Sequence, residues 1–368
     1  MDANRLLPVV LAAAGTLAVV ALLLAVWVWV VWRLYRPRRP EPERLTVVAG
    51  DGWRLALYRR PASKRRFAEP VLLCHGLAAN HRNLDFEPPW SVAQYLADAG
   101  FDCFTVEWRG TGGSRGAPEG KRATDYRIDD HVALDAPAFV DAVLQHTGAK
   151  RVFWVGHSLG GLIGYAAAQG PVGEKLAGIA TMGSPAFFRY PAFMRGVMRL
   201  ARVLAFPFAL RQRLFSIATA PFLGHVTLPL TDVVMNPLAI PPPMQRRMYA
   251  QVISSISRGV VLQFHDWLSN DAFRSWDRTV DWRAGLSRLT VPLLISGGAR
   301  DRLAPKDVVN EAFETAGSSD KTLMVFGTEN GDQMDYGHGD LIFGEHAPEE
   351  VYPRVRAWLE QRATKLTE

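Results

Sequence analysis

Residues 152–161 read VFWVGHSLGG, a short apolar run into Gly156-His157-Ser158-Leu159-Gly160, followed by small residues from Leu162 to Ala168. A serine between glycines at a strand-to-helix turn is the G-x-S-x-G elbow that exposes a hydroxyl as a nucleophile. Glycines are needed there because the serine backbone is strained and the strand and helix come close together. The helix start behind the serine also favours developing negative charge. The chemistry predicted is attack of Ser158 Oγ on an acyl carbon.

Such a hydroxyl needs a base, and the base needs an orienting carboxylate. With this elbow both follow the serine in the chain, the acid first. Residues 291–302 (VPLLISGGARDR) predict an apolar strand ending in a turn that carries Asp301, at the carboxyl edge of a sheet where sites collect. The competing role for Asp301 is a helix cap near Ala304 and Pro305. Asp332 and Asp335 lie in the Gly-rich loop after the last predicted strand and are set aside. His338, with Gly337 and Gly339 on either side, is the expected base, carried over Ser158 by a loop. His346 is the second candidate base, but the sequence that follows it reads as the lead-in to the last helix. His157 is assigned a packing role, and His75, His81, His131, His146, His225 and His265 are read as structural. No metal-ligand spacing joins them, so neither a metal nor a cofactor is expected. The oxyanion donors expected are the backbone N–H groups of Leu159 and of Leu77, in the loop His75-Gly76-Leu77-Ala78.

The elements that must position these groups alternate. Strands are predicted at Leu45–Val48, Trp53–Tyr58, Val71–Cys74, Cys103–Glu107, Val152–Val155, Ala177–Met182, Val291–Ser296 and Thr322–Phe326. Helices are predicted at Trp90–Ala99, Asp130–His146, Leu159–Gln169, Lys306–Thr315 and Glu349–Arg362. Apolar strands separated by helices imply a mostly parallel sheet covered on both faces, and Asp51-Gly52 suits a hairpin between the first two strands. Residues 185–283 break the alternation and read as an inserted helical lid. From Ala186 to Thr231 this insertion has six arginines and no acid. Phe193, Val197, Leu200 and Leu204 recur at helical spacing there, which fits either a face packed on the domain or one laid on a membrane.

Leu6 to Trp32 contains no charged residue. As a helix this run is long enough to cross a hydrocarbon core of about 30 Å. Trp27, Trp29, Trp32 and Tyr35 mark an interface at its end, and Arg33, Arg36, Arg38, Arg39 and Arg44 follow. The bias of basic residues places the bulk of the chain on the cytoplasmic side. A cleaved signal peptide would have a shorter apolar core and a small-residue cleavage site. The expected organisation is therefore an anchor over 1–32, a basic juxtamembrane linker over 33–44, and a core over 45–184 and 284–368 interrupted by the lid. The charge is +6, from 42 Lys+Arg against 36 Asp+Glu, and linker and lid account for the excess, so nucleic acid is not an expected partner. Two cysteines, Cys74 and Cys103, exclude a disulfide scaffold and are expected buried and reduced on neighbouring strands.

Taken together, CHGLAAN (74–80), EWRGTGGS (107–114), GHSLGG (156–161), SGGARDRLAP (296–305) and GHGDLIFG (337–344) resemble the α/β-hydrolase family, in its lipase/esterase-like branch. HGLAANHRNLD resembles acid-lipase-like members. The resemblance covers about Leu45 to Arg362 and implies an eight-stranded, mostly parallel sheet with an inserted helical lid. It also implies hydrolysis of a carboxylic ester through an acyl-enzyme on Ser158, with His338 as base and Asp301 as its orienting acid. The stretch GTENGDQMDYG before His338 is longer than the family's minimal loop. An apolar, lipidic ester drawn from a membrane is the expected substrate. An acyltransferase with the same triad and a non-catalytic scaffold are the alternatives.

Overall fold

The computed structural model describes residues 3–189, 211–225 and 231–367, with side chains from residue 7. Eight strands form one sheet: β1 (Glu43–Val48), β2 (Arg54–Arg60), β3 (Val71–Cys74), β4 (Cys103–Glu107), β5 (Val152–His157), β6 (Leu176–Met182), β7 (Leu293–Gly298) and β8 (Lys321–Phe326). Their order is β1-β2-β4-β3-β5-β6-β7-β8. The β1–β2 and β2–β4 pairs are antiparallel and the rest parallel. Every residue of β3, β5 and β6 is buried, as their unbroken apolar sequences require of strands covered on both faces.

Alternation along the strands divides the core into two layers. Leu72, Cys74, Trp154 and Ile179 pack on one face, under α3 (Ala136–Thr147) and α4 (Leu159–Ala167). Val71, Leu73, Cys103, Phe153 and Val155 pack on the other, under α2 (Val92–Asp98) and α9 (Ala347–Glu360). Cys74 and Cys103 are free thiols, buried on neighbouring strands. The β1–β2 hairpin turns at Gly52, whose φ of 84° is open to glycine without steric penalty.

The eight strands fall where the sequence places them, with shifted ends. β5 continues to His157 because its pairing with β6 runs on through Gly156–Thr181 and His157–Met182. β7 begins at Leu293, after Pro292, which has no N–H for the ladder. The helix expected from Asp130 begins at Ile128, and its turn over His131–Asp135 is π-helical.

Between β6 and β7 the described residues hold α5 (Gln212–Thr219), α6 (Pro242–Gln251) and α7 (Arg258–Asn270), with shorter turns at Thr231–Val234 and Trp282–Gly285. The stripe Phe193, Val197, Leu200 and Leu204 lies outside the described residues. α8 (Lys306–Thr315) bridges β7 and β8.

The N-terminal helix, α1, spans Ala3–Leu34, and Leu7–Leu34, with a mean hydropathy of 2.8 in its most apolar 18-residue stretch, is long and apolar enough to cross a membrane. Its last turns touch the insertion: Val31 is buried with Ile217, Ala220 and Ala250, and Trp27 Nε1 donates to the Ala218 carbonyl at 3.0 Å. The segment expected to be a basic juxtamembrane linker is pinned to the protein. Arg39 pairs with the buried carboxylate of Asp85, which Arg60 also meets at 3.0 Å; Glu41 pairs with Arg82; and Arg38 N donates to Glu87 at 3.0 Å. The reason is electrostatic: a buried Asp85 needs cationic partners, and the nearest chain supplies one.

Candidate active site

Ser158 follows β5 and caps the start of α4, with φ 53° and ψ −120°, a conformation rare for a residue with a side chain. Its surroundings enforce that turn. Ser158 N donates to the Met182 carbonyl at 2.9 Å, and Ser184 Oγ donates to the Ser158 carbonyl at 2.8 Å. A Cβ at Gly156 would run into the Gly161 backbone, one at Gly160 into the Cys74 carbonyl, and one at Gly161 into Ser184. The elbow glycines are thus required by close approach, as the motif predicts.

Asp301 lies in the turn after β7. Its Oδ2 is 2.8 Å from His338 Nδ1, while its Oδ1 accepts the amides of Leu303 at 2.8 Å and Ala304 at 2.7 Å. One oxygen of Asp301 thus holds the turn before α8 and the other meets the imidazole. A Cβ on Gly183 would lie 3.1 Å from both Asp301 Oδ2 and His338 Nδ1, so a glycine after β6 leaves room for this pair. Among the described residues no hydrogen bond joins Ser158 Oγ to His338, a contact that commonly tightens only with substrate. Asp332 and Asp335 are occupied elsewhere. Asp332 accepts Gly327 N at 2.7 Å and pairs with Arg354, and Asp335 accepts the Thr328 amide and hydroxyl at 2.8 Å each. His346 precedes α9, as expected.

His157 departs from the packing role given to it. Its Nδ1 is 3.1 Å from Asn83 Oδ1 and its Nε2 is 3.1 Å from the His338 carbonyl. Asn83 Oδ1 also accepts Gly76 N at 3.2 Å. The imidazole thereby lies between the elbow, the His338 loop and the loop after β3, and a neutral ring, with one N–H, donates to one of these two oxygens. Burial, with His338 beside it, pushes its pKa down to about 3, so it is neutral at pH 7 and works by position. Burial likewise holds His75 at about 4.

Asp340 is a second group the sequence did not single out. It is fully buried, accepts Gly337 N at 2.5 Å and Asn236 N at 2.8 Å, and its pKa is pushed up by burial to about 7. Gly339 N donates to the Val234 carbonyl at 2.8 Å and Asn236 Nδ2 donates to the Asp335 carbonyl at 3.1 Å, so the His338 loop is fastened to the insertion on both sides of the histidine. The only signal in the sequence was an acid beside GHG, and its partner lies 104 residues earlier.

Leu77 and Leu159 line one cavity, with Trp108, Tyr126, Ile256 and Val260 as its apolar wall. Among the described residues neither the Leu77 nor the Leu159 N–H donates to another group of the chain. Two free amides, one at a helix start, can stabilise an oxyanion. No cluster among the described residues has the His, Cys, Asp and Glu content to hold a metal ion.

A parallel sheet with a serine elbow after its central strand defines a class, and the family model agrees: residues 69–330 match the α/β hydrolase fold. The chain belongs to that family and is a lipase/esterase-like carboxylic ester hydrolase. It is 25% identical to human lipase member K over 362 residues, covering 87% of this chain and 88% of that one. To mouse gastric triacylglycerol lipase it is 36% identical over 135 residues, which is 34% of each chain. In fold it is similar to a soluble variant of monoglyceride lipase from Saccharomyces cerevisiae, at a TM-score of 0.63 and 19% identity over 91% of this chain and 98% of that one. The monoacylglycerol lipase of Paleococcus ferrophilus matches at 0.53 and 20% identity, over 83% of this chain and 99% of that one.

Proposed function

We propose that the protein is a membrane-anchored serine hydrolase that cleaves lipidic or long-acyl esters through an acyl-enzyme on Ser158. Ser158 Oγ attacks the acyl carbon, His338 Nε2 takes its proton and returns it to the leaving alkoxide, and Asp301 fixes the imidazole with Nδ1 protonated. The Leu77 and Leu159 amides bind the oxyanion. Water then attacks the acyl-enzyme, with His338 again as base, and releases the acid. The observation that carries the reading is the 2.8 Å contact between Asp301 and His338, on a loop whose His338 carbonyl lies against His157, the residue beside Ser158.

The insertion serves as the lid and α1 as an uncleaved anchor. Excision of α1 as a leader would strip Val31 and Trp32 from α5 and α6 and leave their apolar cluster bare. Leu214, Phe222 and Leu238, at 55%, 65% and 86% exposed, offer apolar side chains from the insertion. Such side chains beside an anchor suit the edge of a bilayer. The positive-inside bias places the catalytic domain on the cytoplasmic side.

The test is labelling of the full chain by a fluorophosphonate, with Ser158→Ala as partner. Labelling lost in the variant supports the acyl-enzyme, and labelling that survives moves the nucleophile elsewhere. Equal cleavage of short soluble and long-chain esters, indifferent to vesicles, would remove the lipidic substrate.

A further inference from the structure

Helices end with carbonyls that have no partner inside the helix, and α1 ends against the insertion. The Trp32 carbonyl is one of these, and the side chain of Gln251, the last residue of α6, donates to it through Nε2 at 2.7 Å. The same amide accepts Arg82 Nη1 at its Oε1, at 2.8 Å. The backbone around Gln251 reaches the opposite way. Asn80 Nδ2 donates to the Gln251 carbonyl at 2.9 Å, and Ser254 N donates to the Ala78 carbonyl at 2.8 Å. Gln251, Ser254 and Asn80 are all buried.

Ala78 needs that support. Its φ is 56°, a left-handed conformation that costs a non-glycine residue about 1 kcal/mol or more unless its surroundings hold it. It directly follows Leu77 and shares a peptide plane with it, so holding Ala78 limits how the Leu77 backbone can turn. Hydrogen bonds linked through the chain at Gln251 therefore lead from the last turn of α1, through one lid glutamine, to the loop beside Ser158.

We propose that Gln251 is a positioning residue through which the seating of α1 sets the Leu77 amide, so that the anchor is part of the catalytic apparatus as well as a tether. This rests on the assignment of Leu77 to the oxyanion hole. The reaction follows Ser158; the geometry of its oxyanion donor follows whether Trp32 is capped.

The experiment uses the full chain in detergent micelles with p-nitrophenyl acetate, a water-soluble ester that needs no membrane to reach the site. Absence of Ser158-dependent turnover in the wild type would refute the reading of the site itself, before any variant is compared. Given turnover, Gln251→Leu is expected to lower kcat about tenfold, with KM within twofold and cooperative melting retained, a partial loss of one oxyanion donor. Val31→Lys, which alters only the α1 face of the contact, is expected to lower kcat similarly, and it carries the test should Gln251→Leu not melt cooperatively. Gln251→Glu keeps an acceptor for Arg82 but sets an oxygen against the Trp32 carbonyl, and it too is expected to fall. Wild-type kcat in Val31→Lys, or in Gln251→Glu while Gln251→Leu falls, overturns the proposal, because the effect would then belong to Arg82 or to packing alone.

Discussion

Asp301 and His338 meet through a single carboxylate oxygen, Oδ2 to Nδ1 at 2.8 Å, while the other oxygen of Asp301 holds the turn from which it projects. Orientation of the imidazole and rigidity of the turn are thus properties of one side chain, and they separate under substitution. Asp301→Asn keeps an oxygen for the Leu303 and Ala304 amides but turns an N–H donor or a weaker acceptor toward His338, favouring the wrong tautomer. Turnover of p-nitrophenyl acetate is expected to fall about 10,000-fold with little change in melting temperature. Asp301→Ala is expected to lose the same activity and also about 1–2 kcal/mol of stability, read by urea denaturation.

The elbow tolerates no added methyl group. In Gly160→Ala the new Cβ meets the Cys74 carbonyl, a rigid backbone group, so the strand and the helix must separate. A cost of about 3 kcal/mol is expected, with loss of fluorophosphonate labelling because Ser158 moves with the helix. The urea midpoint and the labelling rate check it together.

Asp340 gives the fold a pH dependence of definite sign. Its folded pKa, pushed by burial to about 7, lies above that of an unfolded carboxyl, so the folded state binds the extra proton between about pH 4 and 7. Its contribution to stability is full below that window and is lost as pH rises through 7. In Asp340→Asn this dependence disappears. The melting temperature of wild type minus variant is expected to be larger at pH 5 than at pH 8, and a difference that grows with pH would contradict the assignment.

Chain-length preference is expected to reside in the cavity wall. Val260 and Ile256 line it from the insertion, and Leu77 and Leu159 line it from the core. Val260→Phe should lower kcat/KM for p-nitrophenyl octanoate about tenfold relative to the acetate, which needs little of that space. An unchanged ratio would place the acyl chain elsewhere.

The sheet was legible because parallel strands buried on both faces have to be apolar throughout, and runs such as VLLC and VFWV carry that constraint in adjacent residues. The elbow was legible for the same reason: close packing of strand on helix forces glycines at fixed offsets. Asp301 was readable at the end of a strand, though not that it serves two partners. What escaped was long-range pairing. His157 meets a carbonyl 181 residues on, and Gln251 meets one 219 residues back. A polar side chain's identity says that it needs a partner when buried, and the fold alone says which. The same limit applies to the linker, whose Arg39 answers a buried Asp85 that the sequence does not pair with it.

The two cysteines sit on adjacent strands, yet Cys74 belongs to one core layer and Cys103 to the other, with the sheet between them. They cannot join without tearing the ladder, and burial raises both thiols well above their usual range, which keeps them protonated and slow to react. The fold is accordingly indifferent to redox potential. It neither gains a crosslink where glutathione is oxidised nor loses one where it is reduced, so the same catalytic domain holds its shape on either face of a membrane.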